Sequence, residues 1–346
     1  MRIDDLDYEL PEALIATRPV EPRDSARMMV VHRESGAIEH RHVGDLPDYL
    51  DRNDTIVRNR SRVLPARFNG HRVESGGSVS GLFLNQEPDG HWLVMLRSNG
   101  RLRDGIEIKL DDGGPVLTLV DRRDAHWIVR PNASGSAEEI LGSCGLTPLP
   151  PYILRARGSA ELPDEYDRER YQTIYAKEAG SVAAPTAGLH FTSALENQLK
   201  EMGLSILEVV LHVGPGTFAP VTTDELDDHP MHEEWCHVDR RTIGRLMDPA
   251  RSGRIVSVGT TTARVLESLP EQDSGRDWSG MTDLLISPPF NWRFVDVLLT
   301  NFHLPRSTLL ALVAARIGTE LMQTAYREAV QRGYRFYSYG DAMLLL

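Results

Sequence analysis

The sequence predicts an α/β (α+β) protein made of a larger domain with a small all-β, barrel-like domain inserted into it. Three observations lead there. The length of 346 residues suits about two domains. Between residues 68 and 148, short apolar runs (GLFL 81–84, HWLVMLR 91–97, IEIKL 106–110, VLTLV 116–120, HWIVR 126–130) recur at spacings of about ten, with Gly or Asp turns between them. From 165 onward helical and strand patterns alternate, as in α/β domains. The expected division is therefore 1–67 with 149–346 for the larger domain and 68–148 for the insert, with Pro148, Pro150 and Pro151 stiffening the return.

Composition agrees with a soluble globular chain, 41% hydrophobic and 25% charged. The opening MRIDDLDYELPEALI is acidic and lacks the apolar centre of a secretory signal. No apolar run approaches the roughly 20 residues of a spanning helix, so no membrane partner is expected. Two cysteines, Cys144 and Cys236, make no disulfide framework and suit a reducing cytoplasm. The net charge of −12 argues against binding a polyanion over the whole surface. Basic residues nevertheless concentrate at 58–72, 97–103 and 327–335, so a local basic face is possible on an acidic body.

Taken in order, 4–16 reads as a short amphipathic helix with Pro11 near its start, 26–35 as a strand and its turn, and 43–50 as a short helix. Segment 54–67 carries a strand signal in which Arg58, Arg60 and Arg62 alternate, which places all three on one face of an extended chain. With Arg67 they form a candidate phosphate stripe. A solvated sheet edge explains the same spacing. Further on, a helix runs from Thr192 to Met202, ahead of a buried strand at 206–214. A helix at 240–253 precedes a strand at 254–259, and a helix at 260–268 is followed by a strand at 295–302. A long helix covers 307–333 with Ser307 as its N-cap, and 335–345 closes as strand, turn and strand.

The stretch Gly180–Thr192, GSVAAPTAGLHFT, is too poor in charge for an ordinary loop and too broken by Gly180, Pro185 and Gly188 for one regular element. Its small residues permit close approach, and Pro185-Thr186-Ala187 reads as a turn into a helix start able to hold an anion or a carboxylate; a tight structural turn explains the same spacing. His190, His212, Thr260 and His303 stand at strand-to-loop junctions, where α/β sites gather, although a lone His is more often a satisfied core or surface residue. VGTTTAR (258–264) offers hydroxyls at a helix start, with Arg264 to reinforce an anion site; simple capping is the competing explanation. It is not a Walker loop, and no GxGxxG follows a strand. His229, His232, Cys236 and His237 hold metal-type donors but lack a second paired arm, so an acidic helix start with structural or substrate-positioning histidines is expected and no metal.

Several long stretches stand in one order: YELPEALIATRPVEPRDSARMMV (8–30), YQTIYAKEAGSVAAPTAGLHFT (171–192), VLHVGPGTFAPV (210–221), DHPMHEEW (228–235), VGTTTARVLES (258–268), LLTNFHLPRSTLL (298–310) and YRFYSYGDAML (334–344). Together they resemble the S-adenosylmethionine:tRNA ribosyltransferase-isomerase family of queuosine biosynthesis over nearly the full length. The resemblance implies transfer and isomerisation of the ribosyl moiety of S-adenosylmethionine onto the aminomethyl-deazaguanine of a tRNA anticodon loop, giving epoxyqueuosine with release of adenine and methionine. S-adenosylmethionine is then a consumed co-substrate and no separate cofactor is implied. The expected actor is a single chain. His190, His212 and His303 become the catalytic candidates, His190 first. Ser181, Pro185, Thr186, Gly188, Thr260, Thr261, Arg264 and Asn301 become the substrate-binding ones. The tRNA-binding candidates are Arg58, Arg60, Arg62 and Arg67. Two departures, Arg60-Ser61 for the family's Asp-Thr and Pro288-Pro289-Phe290 for its Pro-Gly-Tyr, raise an alternative, a non-catalytic or altered RNA-binding paralogue.

Overall fold

A computed structural model describes residues 1–158, 163–214, 216, 221–272 and 274–346. Residues 215 and 217–220, within the stretch 210–221, lie outside the described residues. The chain opens with 3-10 turns at Ile3–Leu6 and Glu12–Leu14 where one amphipathic helix was expected. Pro11 explains the difference, because the residue before a proline is driven out of helical conformation.

The strands follow as β1 (Arg27–Val31), β2 (Ile38–His42), β3 (Thr55–Asn59) and β4 (Ser61–Val63), then β5 (Arg67–Arg72), β6 (Ser78–Gln86), β7 (Trp92–Ser98), β8 (Glu107–Leu110), β9 (Val116–Arg123) and β10 (His126–Pro131). Strands β5 to β10 close an antiparallel barrel in the order β10-β7-β6-β5-β8-β9. The five apolar runs foreseen between 81 and 130 are five of its staves. The sixth, β5, is masked in sequence by polar residues, yet Phe68 and Gly70 turn inward. Phe68, Trp92, Val94, Ile108 and Leu117 fill the interior, and helix α1 (Ala137–Cys144) packs Ile140 and Leu141 against it.

Helices α2 (Pro151–Arg157) and α3 (Asp164–Arg170) lead back, followed by β11 (Glu178–Ser181), a 3-10 turn at Thr186–His190, α4 (Ser193–Glu201) and β12 (Ser205–Leu211). The remainder is β13 (Glu234–Val238), α5 (Arg240–Leu246), β14 (Ile255–Val258), α6 (Thr260–Glu267), β15 (Trp278–Thr282), β16 (Val297–Asn301), α7 (Thr308–Ile317), α8 (Thr319–Gln331) and β17 (Ala342–Leu345). Strand β13 stands where a histidine-bearing helix start was expected, because Glu234, Cys236 and Val238 alternate inward. Helix α5 stops seven residues short of 253, ahead of Pro249. The expected long helix divides at Gly318, whose φ of 86° interrupts the helical path. Only the second half of 335–345 is strand, since Tyr337 takes a left-handed φ of 71°.

Among the described residues nine strands form the main sheet, ordered β15-β13-β12-β3-β14-β16-β17-β1-β2. Its centre, β12-β3-β14-β16, is parallel. Both faces are covered. Met29, Val57, Val209 and Leu298 pack under α5 to α8, while Met28, Ile56, Val256 and Leu299 pack with Phe191, Leu195 and Leu199 beside α4. Burial on both faces explains why the central strands read as continuous apolar runs.

Candidate active site

The parallel strands β12, β14 and β16 deliver their carboxyl ends to one edge of the sheet. The segments leaving them, Val213, Gly259–Thr261 and Phe302–Ser307, wall a cleft of about 370 Å³. Ala184, Thr186 and Ala187 close one side, and Tyr152, Arg155, Tyr337 and Ser338 close another. Of the sequence candidates, Thr186, Thr260, Thr261, Asn301 and His303 line it.

The other candidates from 180–190 build the wall from behind. Ser181 is fully buried, donating to the Ala183 carbonyl at 2.7 Å and accepting from the Val213 amide at 2.9 Å. Pro185 starts the 3-10 turn, and Gly188 returns its amide to the Pro185 carbonyl at 2.9 Å. A Cβ on Gly188 would stand 2.0 Å from the Tyr175 hydroxyl. The glycine therefore admits Tyr175, where a ligand was expected to approach.

Helix α6 aims its N-terminus into the cleft. Gly259, with φ of 91°, precedes it without a side-chain cap, so the first-turn N–H groups and the positive end of the dipole face the cavity. Among the described residues Thr261 Oγ1 is buried and makes no hydrogen bond, whereas Thr262 Oγ1 donates back to Val258 O at 2.8 Å. Arg264 points elsewhere. It is buried in an ion pair with Glu234 and donates to the carbonyls of Leu284 and Thr282 at 3.0 and 3.3 Å, bracing β13 and β15. It lines a smaller neighbouring pocket with His229 and His232.

Asn301, at the end of β16, is 2% exposed. Its Nδ2 reaches His190 Nε2 at 3.2 Å and the Tyr337 carbonyl at 3.1 Å. Both partners accept, so the amide orientation is set and Oδ1 is left as a buried acceptor without a partner among the described residues. His190 thus lies behind Asn301 and does not line the cleft. Burial pushes its pKa down to about 4, with the charge of Asp341 opposing, and its ring also bonds the Arg23 backbone. His303 does line the cleft; its Nε2 is 2.8 Å from Thr300 Oγ1 and burial lowers it to about 3. The Tyr326 hydroxyl accepts from its amide at 3.0 Å, and Tyr8 donates to its carbonyl. Both imidazoles are neutral at pH 7.

Sequence reasoning missed the aromatic wall. Tyr152 and Tyr337 stack with centroids 4.1 Å apart and planes 19° apart, and Tyr152 bonds the Ser338 hydroxyl. The left-handed backbone at Tyr337, unusual for an aromatic residue, turns this segment into the cleft. Arg155 is exposed at the rim and pairs with no carboxylate among the described residues.

His212 does not line the cleft; it stacks on Trp235 at 5.0 Å, next to the lining residue Val213. The arginines do not form one open stripe. Arg58 is buried, bonded to Glu196 at 2.8 Å and Glu208 at 2.9 Å and lying over the Tyr175 ring at 3.8 Å. Strand β3 is covered on both sides, so its alternation does not reach solvent. Arg60 sits loosely beside Glu178 and Glu208 at 3.9 and 3.8 Å, Arg62 pairs with Glu138, and Arg67 opens β5 on the barrel. Cys236 is buried and donates to Gly280 O, and His237 Nδ1 is 2.8 Å from Ser279 Oγ.

Comparison with known proteins matches residues 3–345 to the family described as queuosine biosynthesis protein. The S-adenosylmethionine:tRNA ribosyltransferase-isomerase of Thermotoga petrophila is 46% identical, with all of both chains covered. That of Staphylococcus saprophyticus is 44% identical, again over all of both chains. The crystal structure of S-adenosylmethionine tRNA ribosyltransferase from Thermotoga maritima superposes with a TM-score of 0.55 at 37% identity, covering 99% of this chain and 100% of that one.

Proposed function

Given that the chain belongs to the queuosine biosynthesis protein family, we propose that it is an S-adenosylmethionine:tRNA ribosyltransferase-isomerase. It moves and rearranges the ribosyl group of S-adenosylmethionine onto the aminomethyl-deazaguanine of a tRNA anticodon loop, releasing adenine and methionine. Full-length relatives at 46% and 44% identity favour this over a non-catalytic paralogue. The observation that carries the site assignment is the pairing, in one cleft, of an uncapped helix start with two buried, unbonded oxygens, Thr261 Oγ1 and Asn301 Oδ1.

A zwitterionic amino acid end suits that pairing. The methionine carboxylate takes the α6 N–H groups and the Thr261 hydroxyl. The ammonium donates to Asn301 Oδ1. The stacked Tyr152 and Tyr337 rings offer a π-face to a sulfonium or a purine. The sulfonium acidifies the adjoining ribose C5′–H. Of the two buried imidazoles only His303 lines the cleft, so it is the one placed to accept that proton, against a burial that disfavours its charged form, while neutral His190 holds Asn301 and adds no charge beside the sulfonium. Small residues at 183–187 keep water from the intermediate. Among the described residues no helix is long and apolar enough to cross a membrane.

The test is incubation with S-adenosylmethionine and precursor-bearing tRNA, following adenine by mass spectrometry. Adenine and methionine released in equal amounts, with a matching mass gain on the tRNA, is the expected result. Unchanged tRNA after prolonged incubation would return the paralogue reading.

A further inference from the structure

We propose that Trp235, flanked by His212 and His237 but left partly exposed by them, is a stacking platform for an unpaired RNA base adjoining the cleft. The proposal rests on the reading of that cleft as a tRNA-modifying site, and it names where the loop is gripped. On β13, Glu234, Cys236 and Val238 turn inward, so Trp235 and His237 share the outer face. The register aligns their rings. His212 stacks on Trp235 with centroids 5.0 Å and planes 20° apart, and Trp235 on His237 at 6.1 Å and 5°. The His212 amide bonds the Trp235 carbonyl at 2.9 Å, fixing the order of the row. Across the ladder Trp235 faces Met281. Trp235 is 37% exposed and Met281 52% exposed, so the pair forms a contiguous apolar face.

The row is joined at one end to the site. Val213, which follows His212, lines the cleft, and Gly180 packs against the His212 ring so closely that a Cβ would fall 2.7 Å from it. Gly180 belongs to β11, whose Ala179 is in register with Arg62 on β4. Arg60 reaches Glu178 on the same strand at 3.9 Å. Aromatic rings beside partly exposed guanidiniums suit single-stranded nucleic acid, whose bases stack and whose phosphates take the cations. A protein partner fits less well. A stable interface buries roughly 800 Å² on each side, and two large exposed apolar side chains supply a small part of that.

Trp235→Ala and Trp235→Phe test this by fluorescence anisotropy with an anticodon stem-loop RNA, alongside calorimetric titration of S-adenosylmethionine. The alanine variant weakens loop affinity by about 5- to 150-fold, the cost of one base–aromatic stack. The phenylalanine variant stays near the parent, and neither changes the salt slope or the affinity for S-adenosylmethionine. Loop affinity within about twofold of the parent in Trp235→Ala overturns the platform. So does a change in sedimentation with unchanged loop affinity, which would assign the face to self-association. If the parent binds the loop in a Trp235-dependent way but releases no adenine, the platform stands and the proposed activity falls.

Discussion

The side-chain amide of Asn301 stands 3.2 Å from His190 Nε2, and its other hydrogen goes to the Tyr337 carbonyl at 3.1 Å. His190 touches the cleft only through Asn301, which lines it, and a positioning role is proposed for it on that geometry. Asn301→Asp keeps the shape but cannot donate to both acceptors, so His190 must take a proton to stay bonded. The expected outcome is a His190 pKa raised in NMR titration, with kcat/KM reduced on the order of 10²-fold through misplacement of substrate. His190→Gln supplies a replacement acceptor and should retain most of the activity. A fully active Asn301→Asp enzyme with an unmoved His190 titration would remove the pair from the mechanism.

Two buried neutral histidines give the fold an acid weakness. Their folded-state values, about 4 for His190 and about 3 for His303, lie below the ordinary 6.5. Below pH 6.5 the unfolded chain binds protons that the fold refuses, so their share of stability is complete above 6.5 and is lost as pH falls, down to about 4 for His190 and about 3 for His303. For His190 the loss is on the order of 3 kcal/mol. Urea denaturation from pH 7 to pH 4.5 should show a shallower decline in His190→Gln than in the parent. Parallel pH profiles would refute the assignment.

Arg58 and Arg62 are neighbours in sequence with different work to do. Arg58→Ala removes the buried cation between Glu196 and Glu208, which keep Lys200 and Lys177 as partners, so the cost should be about 1–3 kcal/mol. Arg62 is partly exposed on β4, and its removal should lower the salt slope of tRNA affinity by roughly 0.7–0.9 per phosphate lost, with little change in thermal midpoint. Equal effects of the two variants on the salt slope would restore the common stripe.

How much of this was legible follows from what local pattern records. The barrel strands could be read because each is apolar on one face and bounded by turns, and the central strands because both of their faces are buried. Helix α1 was missed although Ser136 and Glu139 form a capping box across its start. Strand β13 was hidden because Cys236 and His237 suggested chemistry where pairing with β12 and β15 decides the conformation. Within the site, Thr260 and His303 stood out by position at strand ends and Thr261 as a hydroxyl at a helix start, whereas Asn301 entered only through the family resemblance. Tyr152 and Tyr337 lie 185 residues apart, and their stacking depends on tertiary placement that no local spacing encodes.

Thr261 offers a test in which stability and binding move differently. Its hydroxyl is buried and makes no hydrogen bond within the described protein, a state that costs about 1–3 kcal/mol unless a ligand satisfies it. Thr261→Val keeps the branched shape at the α6 start and removes that oxygen. The thermal midpoint should therefore hold or rise. Affinity for S-adenosylmethionine should fall by about 10- to 150-fold, the range for a hydrogen bond to a charged group. Thr262→Val is the control, since its hydroxyl already donates to the Val258 carbonyl at 2.8 Å. That variant should lose stability by about 1 kcal/mol and bind S-adenosylmethionine as the parent does. A Thr261→Val protein with lower stability and parent-like affinity would mean that the hydroxyl serves the fold, and the carboxylate would have to be sought away from the α6 terminus.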